Sequence, residues 1–353
     1  MIGCVEADIA QIAKQIAPQA ERLAGKTVLL CGGAGFLGRY FVHVFNQLNA
    51  DYLPKPCRLL IYDNLITSGQ AGAHLATQNI TFRQHDIVQP FKVDEPVDYI
   101  IQAAGIASPY YYRKYPLETL EVATNGTRRM LDLAAEKHVK GFLFFSSSEI
   151  YGDPDPMHVP TQESYRGNIS CMGPRACYDE SKRLGETLCT IFQYRYGVPT
   201  TIVRPFNVYG PGMQETDYRV LPNFMSRILA DKPLMVYGNG SQTRTFCYVT
   251  DAIVGFLKVL LDGTPGQAYN IGNPLPEISM VGLAQTLEQT VGKKLSVHLV
   301  EYPDSYPADE PQRRCPDISK AQHQLGYHPT VRLDEGLRRF YEWAKTCYTG
   351  KQP

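Results

Sequence analysis

The feature that most narrows the fold is a glycine string set between a buried strand and a helix. Lys26-Thr-Val-Leu-Leu-Cys31 is an apolar run of strand length, and Gly32-Gly-Ala-Gly35-Phe36-Leu37-Gly38 follows it directly, with a helical pattern continuing to about Leu48. Glycine permits a tight turn and a close backbone approach, and the helix N-terminus behind it favours a pyrophosphate. Alone, such a string is weak evidence. Its context strengthens it, because Arg58-Leu-Leu-Ile-Tyr62 is a second apolar strand and ends in Asp63. A carboxylate there can hold the ribose hydroxyls of NAD and repels the extra phosphate of NADP. The plainer role for Asp63, a turn residue before Asn64, is the less favoured one given the glycines upstream.

Strand and helix patterns keep alternating along the chain. Ile80 to Gln84 leads to His85-Asp86-Ile87, where Asp86 is placed to meet an adenine edge. Val97 to Gln102 ends in Ala103-Ala104-Gly105, small enough for a backbone to pass close to a cofactor. Leu117 to His138 reads as one long helix with Asn125 inside it, Gly141 to Phe145 as a strand, and about Arg175 to Tyr196 as a helix before a strand at Thr200. This pattern predicts an α/β fold, a doubly wound parallel Rossmann sheet that binds ligands at the carboxyl ends of its strands. After Arg204 the elements shorten, which predicts a smaller C-terminal α/β substrate lobe. The expected division is an N-terminal helical arm (1–25), an NAD-binding Rossmann domain (26–206 with 238–262) and a nucleotide-sugar substrate domain (207–237 with 263–346). In the arm, Ile9, Ile12 and Ile16 recur at helical spacing, and Pro18 is expected to break or kink the run.

Composition excludes several classes. Basic and acidic residues balance at 35 each, which argues against nucleic acid or an anionic membrane as partner. Nine scattered cysteines without a CxxC pair read as reduced thiols in a cytoplasmic protein. The eight histidines form no HExxH and do not cluster with cysteines, so no metal is expected. The acidic start is unlike a signal peptide, and no run reaches the length of a membrane span.

The chemistry concentrates between Phe144 and Glu186. Ser146-Ser147-Ser148-Glu149 leaves the strand at Phe145, and Tyr178 and Lys182 lie four apart, on one face of a helix. An ammonium one turn away, with a nicotinamide charge, favours the phenolate; lowering its pKa by roughly 3 units takes about 4 kcal/mol. Ser147 would then orient a substrate alcohol toward Tyr178. Tyr and Lys four apart are common on any solvated helix. The catalytic reading gains its weight from the shared strand ends, where the glycines, Asp63, Ala103 and Ser147 all fall.

Together these motifs, with Arg204-x-Phe-Asn207 and Gly-x-Gln-Thr-Arg244, resemble the extended short-chain dehydrogenase/reductase superfamily. Within it the chain is most similar to the UDP-glucuronate decarboxylases, through Ser148-Glu-Ile-Tyr-Gly-Asp-Pro154, Gly173-Pro-Arg-Ala-Cys-Tyr178-Asp-Glu-Ser-Lys182 and Pro311-Gln-Arg-Arg314-Cys-Pro-Asp-Ile318. The resemblance spans roughly Lys26 to Trp343 and leaves the arm outside. It implies NAD as cofactor, Tyr178 as base at the sugar 4-hydroxyl, Lys182 on the nicotinamide ribose, and Glu149 near carbon 5. It also implies a homodimer paired through the two long helices. Arg244 and Arg314 would meet the diphosphate, Asn207 would bond nearby, and Tyr112, Arg219 and Tyr237 would complete a site in which a UDP-sugar is the favoured substrate. The 4,6-dehydratases resemble the chain too but carry an acidic residue where Ser148 stands; serine is a poor acid for expelling hydroxide, and decarboxylation needs none. A 4-epimerase, a dehydratase and a non-catalytic NAD sensor stay open as alternatives. Two departures, Gln102-Ala-Ala-Gly105 for His-Leu-Ala and Tyr165-Arg-Gly167 for a Trp-Gly pair, bear on substrate detail.

Overall fold

Thr27–Cys31 (β1) is buried at all five residues because helices cover both faces of the sheet it belongs to. Val28 and Leu30 enter one apolar cluster while Leu29 and Cys31 enter the other, the period-2 alternation of a central strand. The structure is a computed structural model that describes residues 3–69, 75–302 and 311–349. Arg58–Asp63 (β2) and Ile80–Gln84 (β3) extend the sheet to one side of β1. Tyr99–Gln102 (β4), Gly141–Phe145 (β5) and Thr200–Pro205 (β6) extend it to the other. All of these pairings are parallel. The strand order reverses between β1 and β4, and the crevice that opens there is where a doubly wound sheet takes its ligand.

The seventh strand corrects the expected boundary. Ala268–Ile271, assigned from sequence to the smaller lobe, pairs in parallel with β6 and closes the edge of the large sheet. The preceding helix, Val249–Asp262, crosses the sheet face to deliver it, completing a β-α-β unit. The smaller lobe is built from short pieces: Leu234–Tyr237 pairs with Val297–Val300, and Thr243–Arg244 pairs with Ile278–Ser279 and Arg313–Arg314.

Two further expectations are refined. The long helix expected from Leu117 to His138 is a succession: Pro116–Glu121 (α4), a π-turn at Val122–Gly126 and Thr127–Lys137 (α5), with a separate helix, Pro109–Lys114 (α3), before it. Gln102 spans the π-turn: its Nε2 donates to the Val122 carbonyl and to Thr127 Oγ1, both at 3.3 Å. The arm is the helix Gly3–Ala20 (α1), which runs through Pro18 and lays Ile9, Ile12 and Ile16 into the core. Its Asp8 is fully buried, accepting from Tyr248 Oη at 2.7 Å and from Arg339 Nη1 at 2.8 Å.

Two helices position the site. Phe36–Asp51 (α2) starts at the glycine turn, and Ala176–Tyr196 (α6) lies across β5 with Gly185 against Phe144. A Cβ on Gly185 would stand 2.2 Å from the Phe144 ring, so α6 sits as low on the sheet as backbone allows. Gly185→Ala is therefore expected to cost about 1–3 kcal/mol by overpacking, read as a lower urea midpoint. Adding Phe144→Leu should recover part of that loss; no recovery would place the strain elsewhere.

Candidate active site

The carboxyl ends of the strands surround a cavity of about 730 Å³. One half is the glycine turn. Gly32 has φ +82°, and a Cβ there would lie 2.8 Å from Ala104, so only glycine lets β1 and β4 part this closely. Gly38 meets the Gly32 carbonyl as tightly, whereas a Cβ on Gly35 would meet only that carbonyl, at 3.4 Å. Gly35 caps α2, and Phe36 and Leu37 form its first turn beside the cavity. Asp63 closes this half: its carboxylate accepts from the backbone of Ala34 at 2.9 Å and of Leu65 at 2.8 Å. Burial pushes its carboxyl up, and those backbone donors hold it down. Asn64 donates to Asp86 at 3.0 Å, Asp86 also accepts from the Val88 backbone, and Ile87, Ala103 and Ala104 line the wall between. A cradle that a side chain would fill, ending in an anchored carboxylate, fits a dinucleotide with free ribose hydroxyls.

The other half carries the reacting groups. Ser147 leaves β5 and accepts from the Glu149 backbone at 3.2 Å, which starts the single turn Ser148–Tyr151. Ser146 donates to Glu186 at 2.5 Å; Glu186 is held bidentate by Arg204, which also donates to Tyr151 Oη at 2.8 Å. This brace ties α6 to the ends of β5 and β6. It gives Arg204 a positional role.

Tyr178 and Lys182 face the cavity from α6. Lys182 Nζ donates to the Phe145 carbonyl at 2.7 Å and lies 5.7 Å from the Tyr178 ring centroid. A Cβ on Gly105 would come within 3.1 Å of that ammonium. Tyr112 stacks on Tyr178 with centroids 5.5 Å apart. Burial pushes the Tyr178 phenol up to about 12, against a Ser147 hydrogen bond that favours the phenolate; Glu149 and Asp179 raise it further and Arg219 lowers it. Burial also brings the Lys182 ammonium itself down to about 8, so in both groups desolvation opposes the charged form.

Glu149 is clamped. Both of its oxygens accept from Arg314 at 2.6 Å, and Arg175, at the N-cap of α6, reaches the same carboxylate. Arg314, expected at a diphosphate, thus stands at the Glu149 end of the cavity, and Ser148 is buried beside it. Arg244 is buried with its guanidinium on the Thr243 carbonyl at 2.8 Å. Asn207 donates to the Thr245 carbonyl at 2.7 Å, Arg219 is paired with Asp217, and Tyr237 stacks on Tyr302 with centroids 5.4 Å apart. All six expected substrate residues line the one cavity. Sequence reading missed Arg175 and Asp179, which lie 3.5 Å apart, although their i, i+4 spacing on the Tyr178 helix was a signal. Tyr302 carried no local signal. Among the described residues, no group of three His, Cys, Asp or Glu is placed to hold a metal ion.

The model of the NAD dependent epimerase/dehydratase family matches residues 28–272. UDP-glucuronic acid decarboxylase 1 of Xenopus tropicalis is 39% identical over 316 residues, covering 89% of this chain and 71% of its own. UDP-glucuronic acid decarboxylase 3 of Arabidopsis thaliana is 37% identical, covering 88% and 86%. Among solved structures, UDP-glucuronic acid 4-epimerase from Bacillus cereus, in complex with UDP-glucuronic acid and NAD, superposes with a TM-score of 0.77 at 25% identity, covering 91% of this chain and all of that one. A dTDP-glucose 4,6-dehydratase from Streptomyces venezuelae with NAD bound gives 0.77 at 25% identity, covering 91% and 97%.

The buried ammonium has a measurable cost. Lys182 titrates near 8 in the fold against 10.5 when exposed, so the unfolded chain binds more protons between those values and stability rises with pH across that window. Carrying the charge at neutral pH costs roughly 3 kcal/mol. Lys182→Met, which forfeits about 1 kcal/mol with the Phe145 bond, is expected to gain about 2 kcal/mol in nucleotide-stripped protein at pH 7 while turnover is lost. Thermal unfolding of both forms checks this, and a variant no more stable than wild type contradicts it.

Proposed function

The chain belongs to the NAD dependent epimerase/dehydratase family, and on that premise we propose that it decarboxylates a UDP-uronate, UDP-glucuronate first, to the UDP-pentose with NAD recycled. The observation that carries this reading is the state of Glu149. Its two oxygens already accept guanidinium hydrogen bonds, and the residue before it is Ser148. Among the described residues that line that end of the cavity, no carboxylic acid is left to protonate a departing hydroxyl, as water loss from carbon 6 requires. Decarboxylation asks for no such acid. The curated relatives that carry the name UDP-glucuronic acid decarboxylase support the same choice.

NAD, the cofactor of the family, supplies when bound the acceptor that takes the hydride from carbon 4 and later returns it. The chain does the rest. Tyr178, oriented by Ser147, takes the proton of the 4-hydroxyl, and the carboxylate on carbon 5 is then beta to a ketone. When carbon dioxide leaves, the electron pair of the broken bond moves toward the 4-oxygen. Ser147 and the protonated Tyr178 are there as hydrogen-bond donors. The burial that makes Tyr178 hard to ionise suits this stage, because the phenol keeps its proton while the sugar oxygen carries the charge.

Carboxyl-labelled UDP-glucuronate should release labelled carbon dioxide with no net rise in NADH absorbance. Carbon dioxide with stoichiometric NADH would mean that the ketone is released. Inversion at carbon 4, or loss of water, with no carbon dioxide would replace the reading with a 4-epimerase or a dehydratase. Tyr178→Phe is expected to slow the reaction by about 10²- to 10⁴-fold.

We also propose a homodimer in a reducing, cytoplasmic setting. Leu117 and Leu120 on α4 and Leu184 and Ile191 on α6 are exposed apolar residues on two helices that pack together, and all nine cysteines are unpaired. A monomeric mass at micromolar concentration would remove the dimer.

A further inference from the structure

Among the described residues, four ionisable side chains meet at the Glu149 end of the cavity, and three of them face it. Glu149, Arg175 and Arg314 line the cavity, while Asp179 stands behind Arg175, one residue beyond Tyr178 on α6. The groups that face Asp179 come from three elements. Its own helix contributes Arg175, at 3.5 Å, with Cys177 and Tyr178; the turn after β5 contributes Glu149; the strand Arg313–Arg314 contributes Arg314. Among the described residues, two guanidiniums and two carboxylates meet here, and pairing of that kind is what a buried cluster needs.

A uronate adds to the negative charge. The proposed substrate brings a further carboxylate to this end of the cavity, away from water, and the inexpensive remedy is one proton. The two resident acids are unequally supplied with donors. Glu149 takes three contacts from two guanidiniums, whereas Asp179 has one long contact on Oδ2 and a buried Oδ1 without a hydrogen-bond partner. A carboxylate short of donors is the one that neutralises.

We propose that Asp179 is the charge-balancing residue of the site: it takes up one proton when a uronate binds, and takes up none when the ligand is the neutral hexose. The proposal rests on the uronate reading above. Asp179 acts through Arg175 and Glu149 and does not touch the sugar, so its role is positioning. Burial and Glu149 together push its carboxyl up to about 7, against the pull of Arg175 and Arg314, so the uptake is nearly free of cost at neutral pH. The stoichiometry of the reaction agrees. In decarboxylation the bond from carbon 5 to the carboxyl breaks, a C–H bond forms in its place, and R–COO⁻ plus H⁺ becomes R–H plus CO₂. One proton is consumed. On this proposal it enters the site with the substrate, before any bond breaks, and the cluster returns to its resting charge once carbon dioxide has left.

The test is titration calorimetry on the full-length enzyme loaded with NADH, which binds the substrate without oxidising it. UDP-glucuronate and UDP-glucose are each titrated in phosphate and in Tris buffer, so that the difference in apparent enthalpy counts protons. At pH 8 UDP-glucuronate should take up close to one proton and UDP-glucose none. The uptake should fall severalfold by pH 6, where Asp179 already holds its proton. Asp179→Asn should abolish the uptake, and Asp179→Glu should keep it. Uronate binding without uptake, or an uptake that persists in Asp179→Asn or does not decline toward pH 6, overturns the proposal while leaving decarboxylation intact. The pH series on the unaltered enzyme decides the matter even if the asparagine variant does not fold. Failure of UDP-glucuronate to bind overturns the proposal together with the uronate reading.

Discussion

The contact between α6 and the end of β5 is the constraint on which the site depends. One side of it is steric: Gly185 lets the helix rest on the Phe144 ring. The other side is polar, with Lys182 on the Phe145 carbonyl and Glu186 gathering Ser146 and Arg204. Ser147 comes from the end of the strand and Tyr178 from the helix, so the two meet at the cavity only while these elements stay in register. Because both elements are buried and regular, the pair is held with the precision that proton transfer needs.

Electrostatically, the site is built against its own ionisation. Burial raises the phenol of Tyr178 and lowers the ammonium of Lys182, each shifted toward its neutral form. A site tuned only to make a strong base would be arranged otherwise. A cycle in which the same tyrosine takes a proton, keeps it through an enolate and gives it back is better served by a group that is reluctant to stay charged.

Much of this was legible in the sequence because backbone geometry writes itself into local residue choice. The turn at Gly32, the carboxylate closing β2 and the four-residue spacing of Tyr178 and Lys182 each need particular residues at particular separations. Sheet membership is different. Ala268–Ile271 is four residues long, and nothing in them says which edge they will join. The Val122 carbonyl, at the start of the π-turn Val122–Gly126, accepts from Gln102, a partner 20 residues away. The partners of Glu149 come from a helix cap and from a strand 165 residues on. Pairings of that kind are tertiary, and a reading of local pattern assigns the residues to a function without assigning their neighbours.

The arm shows what such long-range pairing means for a chain made from one end. Asp8 is held by Tyr248 and by Arg339, partners 240 and 331 residues downstream. The apolar face of α1 packs on α2 and on the helix Val249–Asp262, and its carboxyl group gains its second donor only when Leu333–Cys347 has been synthesised. Until then α1 is an amphipathic segment without its full cover, and its docking joins elements made early in synthesis to elements made late.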